Sequence, residues 1–140
     1  MNEPLPSALP HVTIDRQHSF SGKKNLDWFF ANRRWVRITR SNLVEAAWAV
    51  RELPLEEAPL RFLFLAPKRF YKPAHDRNKI RRLLRAAIAE EGIFAVIEQG
   101  MRDKNQQLLV MMRITKPIMS VKWEQVLDDV RRIAGKLSEC

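Results

Sequence analysis

The hydrophobic patterning of this 140-residue chain predicts an α+β fold, a two-layer sandwich in the order helix-strand-strand-strand-helix-strand-helix. Three observations carry that reading. Apolar runs bounded by proline and polar residues mark strands at Leu60 to Ala66 and Gln107 to Ile114. Apolar residues at steps of three and four mark helices, most clearly at Ile80, Leu83, Leu84, Ala87 and Ile88 and again from Trp123 to Leu137. A content of 46% hydrophobic and 29% charged residues suits one buried core and argues against a membrane protein.

Residues 1–20 contain Pro4, Pro6 and Pro10 with few large apolar side chains, and read as a flexible arm ahead of a single domain over 21–140. Leu26, Phe29 and Phe30 predict a short amphipathic helix from about Lys24 to Asn32. From Arg33 to Arg40 basic and apolar residues interleave, as in a short edge strand, and Asn42 to Val50 reads as a second strand. The acidic stretch Pro54 to Pro59 is a loop, and Pro67 ends the strand that follows it. Gly92 and Gly100 bracket a segment that either prolongs the preceding helix or forms a separate turn. Ser120 is placed to cap a last helix whose apolar face includes Trp123, Val126, Leu127, Val130, Ile133 and Leu137.

Charge is the most informative property. Lys68 to Arg85 holds eight basic residues against Asp76 alone, so it carries +7 of a net +9, while the rest of the chain is nearly balanced. Focused charge of this kind fits a polyanion partner better than a general solubility role. Arg77, Arg81 and Arg85 step by four along one helical face, where like charges repel. With Asp76 as N-cap, Arg77 and Lys79 would fall in the first turn, where the helix dipole disfavours cations. A bound anion offsets both costs, whereas an ordinary solvated helix face mixes signs.

The run Arg77-Asn78-Lys79-Ile80-Arg81-Arg82-Leu83-Leu84-Arg85, preceded by Lys68-Arg69, resembles the arginine- and asparagine-bearing signature of the bacterial ribonuclease P protein component. Lys23 to Phe30 resembles that family's first helix, Leu60 to Ala66 the strand before the basic pair, and the remaining strand and helix follow in order, so about residues 20 to 137 are covered. The resemblance implies a left-handed crossover around the basic helix, against the usual right-handed preference. It implies an accessory subunit that binds the catalytic RNA and the 5′ leader of precursor tRNA, with hydrolysis carried out by the RNA and by Mg²⁺ held mainly by RNA subunit and substrate. Lys68, Arg69, Lys72, Arg77, Asn78, Lys79, Arg81, Arg82 and Arg85 are then the RNA-binding set, and Leu26, Phe30, Arg34 and Arg37 line the leader cleft. Phe70 to Asp76 is bulkier than the family's usual turn, Ala86 stands where an acid is common, and Arg33-Arg34 replaces a common glycine.

Read without the resemblance, Leu26 and Phe30 serve equally well as core, Trp28 and Trp35 are half-buried filler or base platforms, and Phe70 and Tyr71 stack on RNA or pin their loop. Catalytic groupings are missing from the sequence: His11, His18 and His75 are scattered, and no cysteine or histidine cluster has metal-ligand spacing. Glu90-Glu91 and Asp128-Asp129 read as solvated pairs. Cys140, alone and terminal, forms no internal disulfide. Without a long apolar run or a signal-like N-terminus, the expected address is the cytoplasm with no membrane partner. Two other functions compete: a general structured-RNA-binding or ribosome-associated protein of the same fold, and a DNA-binding protein with Arg77 to Arg85 as recognition helix. The second lacks the helix that should come just before, because Pro67 and Pro73 occupy that space.

Overall fold

The computed structural model describes His18 and residues 23–139. The arm expected over residues 1–20 thus lies outside the described residues apart from His18, as does Cys140. Helix α1 (Lys23–Ala31) leads through a 3₁₀ turn (Arg33–Trp35) into a four-stranded sheet. Its strands are β1 (Arg37–Arg40), β2 (Val44–Glu52), β3 (Leu60–Leu65) and β4 (Gln106–Ile114), in the spatial order β1-β2-β4-β3. The β1–β2 and β2–β4 pairs are antiparallel. Strand β3 is parallel to β4, so the chain must travel back along the sheet between them. Helices α2 (Ala74–Glu90) and α3 (Ile93–Asp103) make that return, and α4 (Trp123–Leu137) closes the fold.

Side-chain alternation gives the sheet two unlike faces. On one, Val44, Ala46, Leu60, Phe62, Phe64, Leu108, Val110, Met112 and Ile114 join the buried faces of α2, α3 and α4 in the main core. Phe62 stacks on Phe64 with ring centroids 5.7 Å apart and meets Phe94 of α3 edge-on at 5.6 Å. On the other face a smaller cluster forms from Phe29, Ala49 and Leu109, with Leu26, Trp28, Val36, Leu63 and Met111 against it. Helix α1 therefore covers only part of that second face. Strand β4, central and buried on both sides, explains why its sequence is almost continuously apolar.

Several local expectations are revised. Ile93 to Gln99 belongs to a separate helix that runs on to Asp103, so Gly100 lies inside α3 and only Gly92 flanks it. Ser120 sits in a 3₁₀ turn, and α4 starts after Lys122 without a side-chain cap. Of Arg33 to Arg40 only Arg37–Arg40 is strand.

The largest revision concerns Asp129, which is buried rather than solvated. Its carboxylate accepts hydrogen bonds from Ser41 Oγ (2.8 Å), from the Leu43 backbone N–H and from the Val44 backbone N–H (3.1 Å). It thereby ties α4 to the β1–β2 turn and gives an acceptor to two backbone donors at the start of β2. Asp128, one step around the helix, is exposed and pairs with Arg132.

Replacing Asp129 by Ala leaves two buried N–H groups without an acceptor, and the unfolding free energy is expected to fall by about 2 to 4 kcal/mol. Denaturant titration of Asp129→Ala measures it; a change within about 0.5 kcal/mol, the range of an ordinary surface substitution, would reduce Asp129 to a bystander.

Candidate nucleic-acid interface

The basic segment begins where β3 ends. Pro67 O accepts hydrogen bonds from the backbone N–H groups of Phe70 and Tyr71 at 3.0 Å, closing a turn that holds Lys68 and Arg69 in solvent. Tyr71 is 1% exposed, and its hydroxyl donates to the carbonyl of Lys116 beyond β4. Tyr71 thus pins the loop, while Phe70 is 42% exposed under the Arg69 guanidinium at 4.9 Å. Burial pushes the Tyr71 phenol up to about 12.

Helix α2 starts earlier than the charge pattern predicts. Pro73 is the N-cap, its carbonyl accepting from the N–H groups of Asp76 (3.1 Å) and Arg77 (3.3 Å), so Asp76 is not the cap but an acid within the first turn, where the dipole favours it. Lys79 consequently lies beyond that turn. Arg77 Nη1 donates to the carbonyls of Tyr71 (2.9 Å) and Lys72 (2.7 Å), making Arg77 a strut between helix and loop. The expected penalty for cations at the helix start is therefore mostly relieved inside the protein.

The remaining cations are open. Lys68, Arg69, Lys72, Lys79, Arg81, Arg82 and Arg85 are exposed, and among the described residues none forms an ion pair. Asn78 is exposed beside Arg81, 3.5 Å from its Nη1, and Arg85 stands over the edge of Phe64. Three arginines elsewhere are matched, Arg61 with Glu57 (2.9 Å), Arg113 with Glu45 (3.0 Å) and Arg131 with Glu91 (3.1 Å). Glu57 also accepts from Gln107 Nε2 at 3.0 Å. Burial works to raise its carboxyl, but the hydrogen bonds from Gln107 and Arg61 and the charges of Arg61 and Arg51 outweigh that and hold it low.

A groove of about 380 Å³ runs between α1 and the second face of the sheet. Phe30 forms one wall, 60% exposed, its ring edge-on to Phe29 at 6.2 Å; Phe29 is the residue that packs down, at 3% exposed. Ala47, Met111 and Leu65 make the floor, and Arg33, Arg40 and Arg113 bring charge to the rim beside Glu45. Leu65 pairs in register with Arg113, and the turn with Lys68 and Arg69 follows three residues later. One end of the groove therefore lies beside the basic turn and Lys116.

Of the four expected groove residues, the structure brings Phe30 to the groove and sinks Leu26 into the small cluster below it. Arg34 is exposed next to the ring of Trp35, outside the groove lining. Arg37 also lies outside this groove lining. It pairs with Trp48, whose side chain belongs to the helix-covered face, and its guanidinium lies 5.9 Å from that ring, so alternation turns it away from Phe30. Arg40 and Arg113 line the groove instead. Arg113 was legible: it is the only charged residue in β4, on the parity of Leu109 and Met111. Trp28 is half-buried under Arg51, 4.8 Å from its ring, whereas Trp35 is 67% exposed.

Together these features define a small basic α+β protein whose α2 carries cations without an ion-pair partner among the described residues, and whose sheet bears an apolar groove rimmed by arginine. The sequence profile described as Ribonuclease P matches residues 16–138. The 2.0 Å structure of the Staphylococcus aureus RNase P protein superposes with a TM-score of 0.57, covering 85% of this chain and 94% of that one, at 10% identity, which shows a shared fold. No curated protein matches the sequence. The chain belongs to the bacterial ribonuclease P protein family, the protein component of an RNA-binding, tRNA-processing ribonucleoprotein.

Tyr71 is the chain's single tyrosine, so its ionisation can be followed by ultraviolet absorbance alone. The folded protein is expected to titrate near 12 instead of 10.0. Because the folded value lies above the unfolded one, the associated stability is complete below pH 10.0 and is lost as pH rises towards about 12. Tyr71→Phe should lack that alkaline component; a phenol titrating at the ordinary value would contradict the buried loop anchor.

Proposed function

We propose that this chain serves ribonuclease P as its noncatalytic subunit, binding the RNA subunit through α2 and the preceding turn and holding the 5′ leader of precursor tRNA in the groove beneath α1. The observation that carries the proposal is the junction of two surfaces: exposed cations in the Lys68–Arg69 turn that leads into α2, and a groove with exposed Phe30 whose end lies beside that turn. Cations neutralise phosphates and release their counterions, while an apolar wall accepts unstacked bases of single-stranded RNA. A duplex presents no unstacked bases, and mature tRNA has lost the single-stranded leader that would lie along this wall. Lys68, Arg69, Lys72, Lys79, Arg81, Arg82 and Arg85 are assigned to phosphates of the RNA subunit, with Asn78 as a hydrogen-bonding neighbour and Arg77 holding the loop in shape. Phe30, Arg33, Arg40 and Arg113 are assigned to the leader, and Leu26 supports the wall from below.

Hydrolysis is assigned to the RNA subunit, where Mg²⁺ is held with the substrate. Among the described residues no group of three or more His, Cys, Asp or Glu side chains could hold a metal ion. No described helix is long and apolar enough to cross a membrane. The decisive experiment adds the purified chain to a bacterial ribonuclease P RNA at low Mg²⁺. Stimulated removal of the precursor leader, with no cleavage by RNA-free protein, is the expected result; a protein that binds the RNA without stimulating cleavage would instead be a general RNA-binding module.

Single Arg81→Ala, Arg82→Ala and Arg85→Ala substitutions should each flatten the plot of log affinity against log salt for the RNA subunit, by up to about one unit per lost phosphate contact. Their thermal stability should hold, because these side chains lie in solvent and repel one another. Slopes that match wild type for all three would make the helix face mere solvated surface.

Adjacent phenylalanines provide an internal control for the groove. Phe30→Ala should weaken holoenzyme affinity for precursor tRNA by about 1 to 3 kcal/mol, spare mature tRNA and leave folding intact. Phe29→Ala should instead cost about 3 to 5 kcal/mol of stability. Equal losses for precursor and mature tRNA in Phe30→Ala would remove the ring from leader binding.

A further inference from the structure

Strand β1 is an edge strand with a second hollow behind it. On the sheet face opposite the Phe30 groove, a space of about 1090 Å³ lies between β1 and the end of α4, lined by Trp35, Arg37, Thr39, Trp48 and Lys136. A neighbouring hollow continues it past Arg40, Ser41 and Arg132. Ile38 and Arg40 line both the front groove and the rear one, so β1 is a thin ridge between them. The surface is unusual for a solvated edge. Trp35 is 67% and Ile38 63% exposed, and Arg37 covers the Trp48 ring at 5.9 Å. Arg34, Arg37, Arg40 and Lys136 form no ion pair among the described residues, Arg132 is matched by Asp128, and Glu139 is the one acid in the lining.

We propose that this rear groove is a second binding site for single-stranded RNA, taking up leader nucleotides upstream of those held beside Phe30. The inference rests on the leader assignment for the front groove and extends it around the β1 ridge. Three features favour RNA as occupant. The free cations are complementary to phosphate, the exposed indole of Trp35 offers a stacking surface, and the lining is continuous with the front groove through Ile38 and Arg40.

Leader length tests this. Holoenzyme reconstituted with a bacterial ribonuclease P RNA is titrated with precursor tRNAs whose leaders have about 4 or about 16 nucleotides, lengths that bracket single-strand sites on one domain. The combined Trp35→Ala and Lys136→Ala variant is expected to bind the long-leader substrate roughly tenfold more weakly than wild type, with a shallower salt slope, while binding the short-leader substrate equally well. Wild-type affinity for both substrates would overturn the proposal, as would equal losses for both, which indicate damage elsewhere. An altered oligomeric state in sedimentation with unchanged RNA affinity would assign the edge to a protein contact and also overturn it. The front groove is judged separately, by Phe30→Ala on the short leader, so the two readings fail independently.

Discussion

Strand β4 sits between an antiparallel and a parallel neighbour, and the arrangement of the molecule follows from that position. Its register with β2 and β3 places Leu108, Val110, Met112 and Ile114 towards the helices and Leu109 and Met111 towards α1. A slip of one residue would exchange the faces, sending Arg113 into the main core and Ile114 into solvent. Burial on both sides is what makes this register costly to change. The parallel partner β3 in turn forces the long return through α2 and α3, which sets the basic helix outside the sheet on top of the main core.

Electrostatics divides the molecule into a matched and an unmatched part. Carboxylates are spent where arginines must stay near apolar surface, as with Glu57 between Arg51, Arg61 and Gln107. Asp129 is used on backbone donors instead, deep between α4 and the β1–β2 turn. Among the described residues, the turn at Lys68–Arg69, the outer face of α2 and the β1 edge concentrate cations without an ion-pair partner. Repulsion there is modest in water but grows as the surface is covered, so the same residues that mildly weaken the free protein gain most from a polyanion.

Stability and recognition are separated in neighbouring side chains. Phe29 packs while Phe30 stands in solvent, and Tyr71 anchors a loop whose adjacent Phe70 is exposed. Arg77 braces that loop through two carbonyls, and Arg81, one turn on, is exposed with no ion pair among the described residues. Binding groups on such supports are held by residues that never touch the ligand, which lowers the cost of ordering them on association.

Apolar spacing alone was enough to specify the helices around Leu84 and Val130 and the strands around Phe62 and Val110, because burial on one face imposes a period the sequence must carry. The concentration of charge from Lys68 to Arg85 was equally plain in one dimension. Local caps were not: Asp76 and Ser120 each had the chemistry of an N-cap, yet Pro73 and the turn at Ile118–Ser120 moved the helix starts. Asp129 reads as a surface acid until α4 is laid on the β1–β2 turn, since its partners are more than eighty residues away. The groove is likewise a product of assembly. Sequence supplied Leu26, Phe30, Arg34 and Arg37 as candidates, but only the β1–β2 register turns Arg37 behind the sheet and Arg40 to the front, and only the β2–β4 pairing brings Arg113 across from Glu45. Composition and period determined which elements form and where charge collects; tertiary pairing decided which residues share a surface, because a strand's neighbours are fixed by long-range hydrogen bonds that no local window contains.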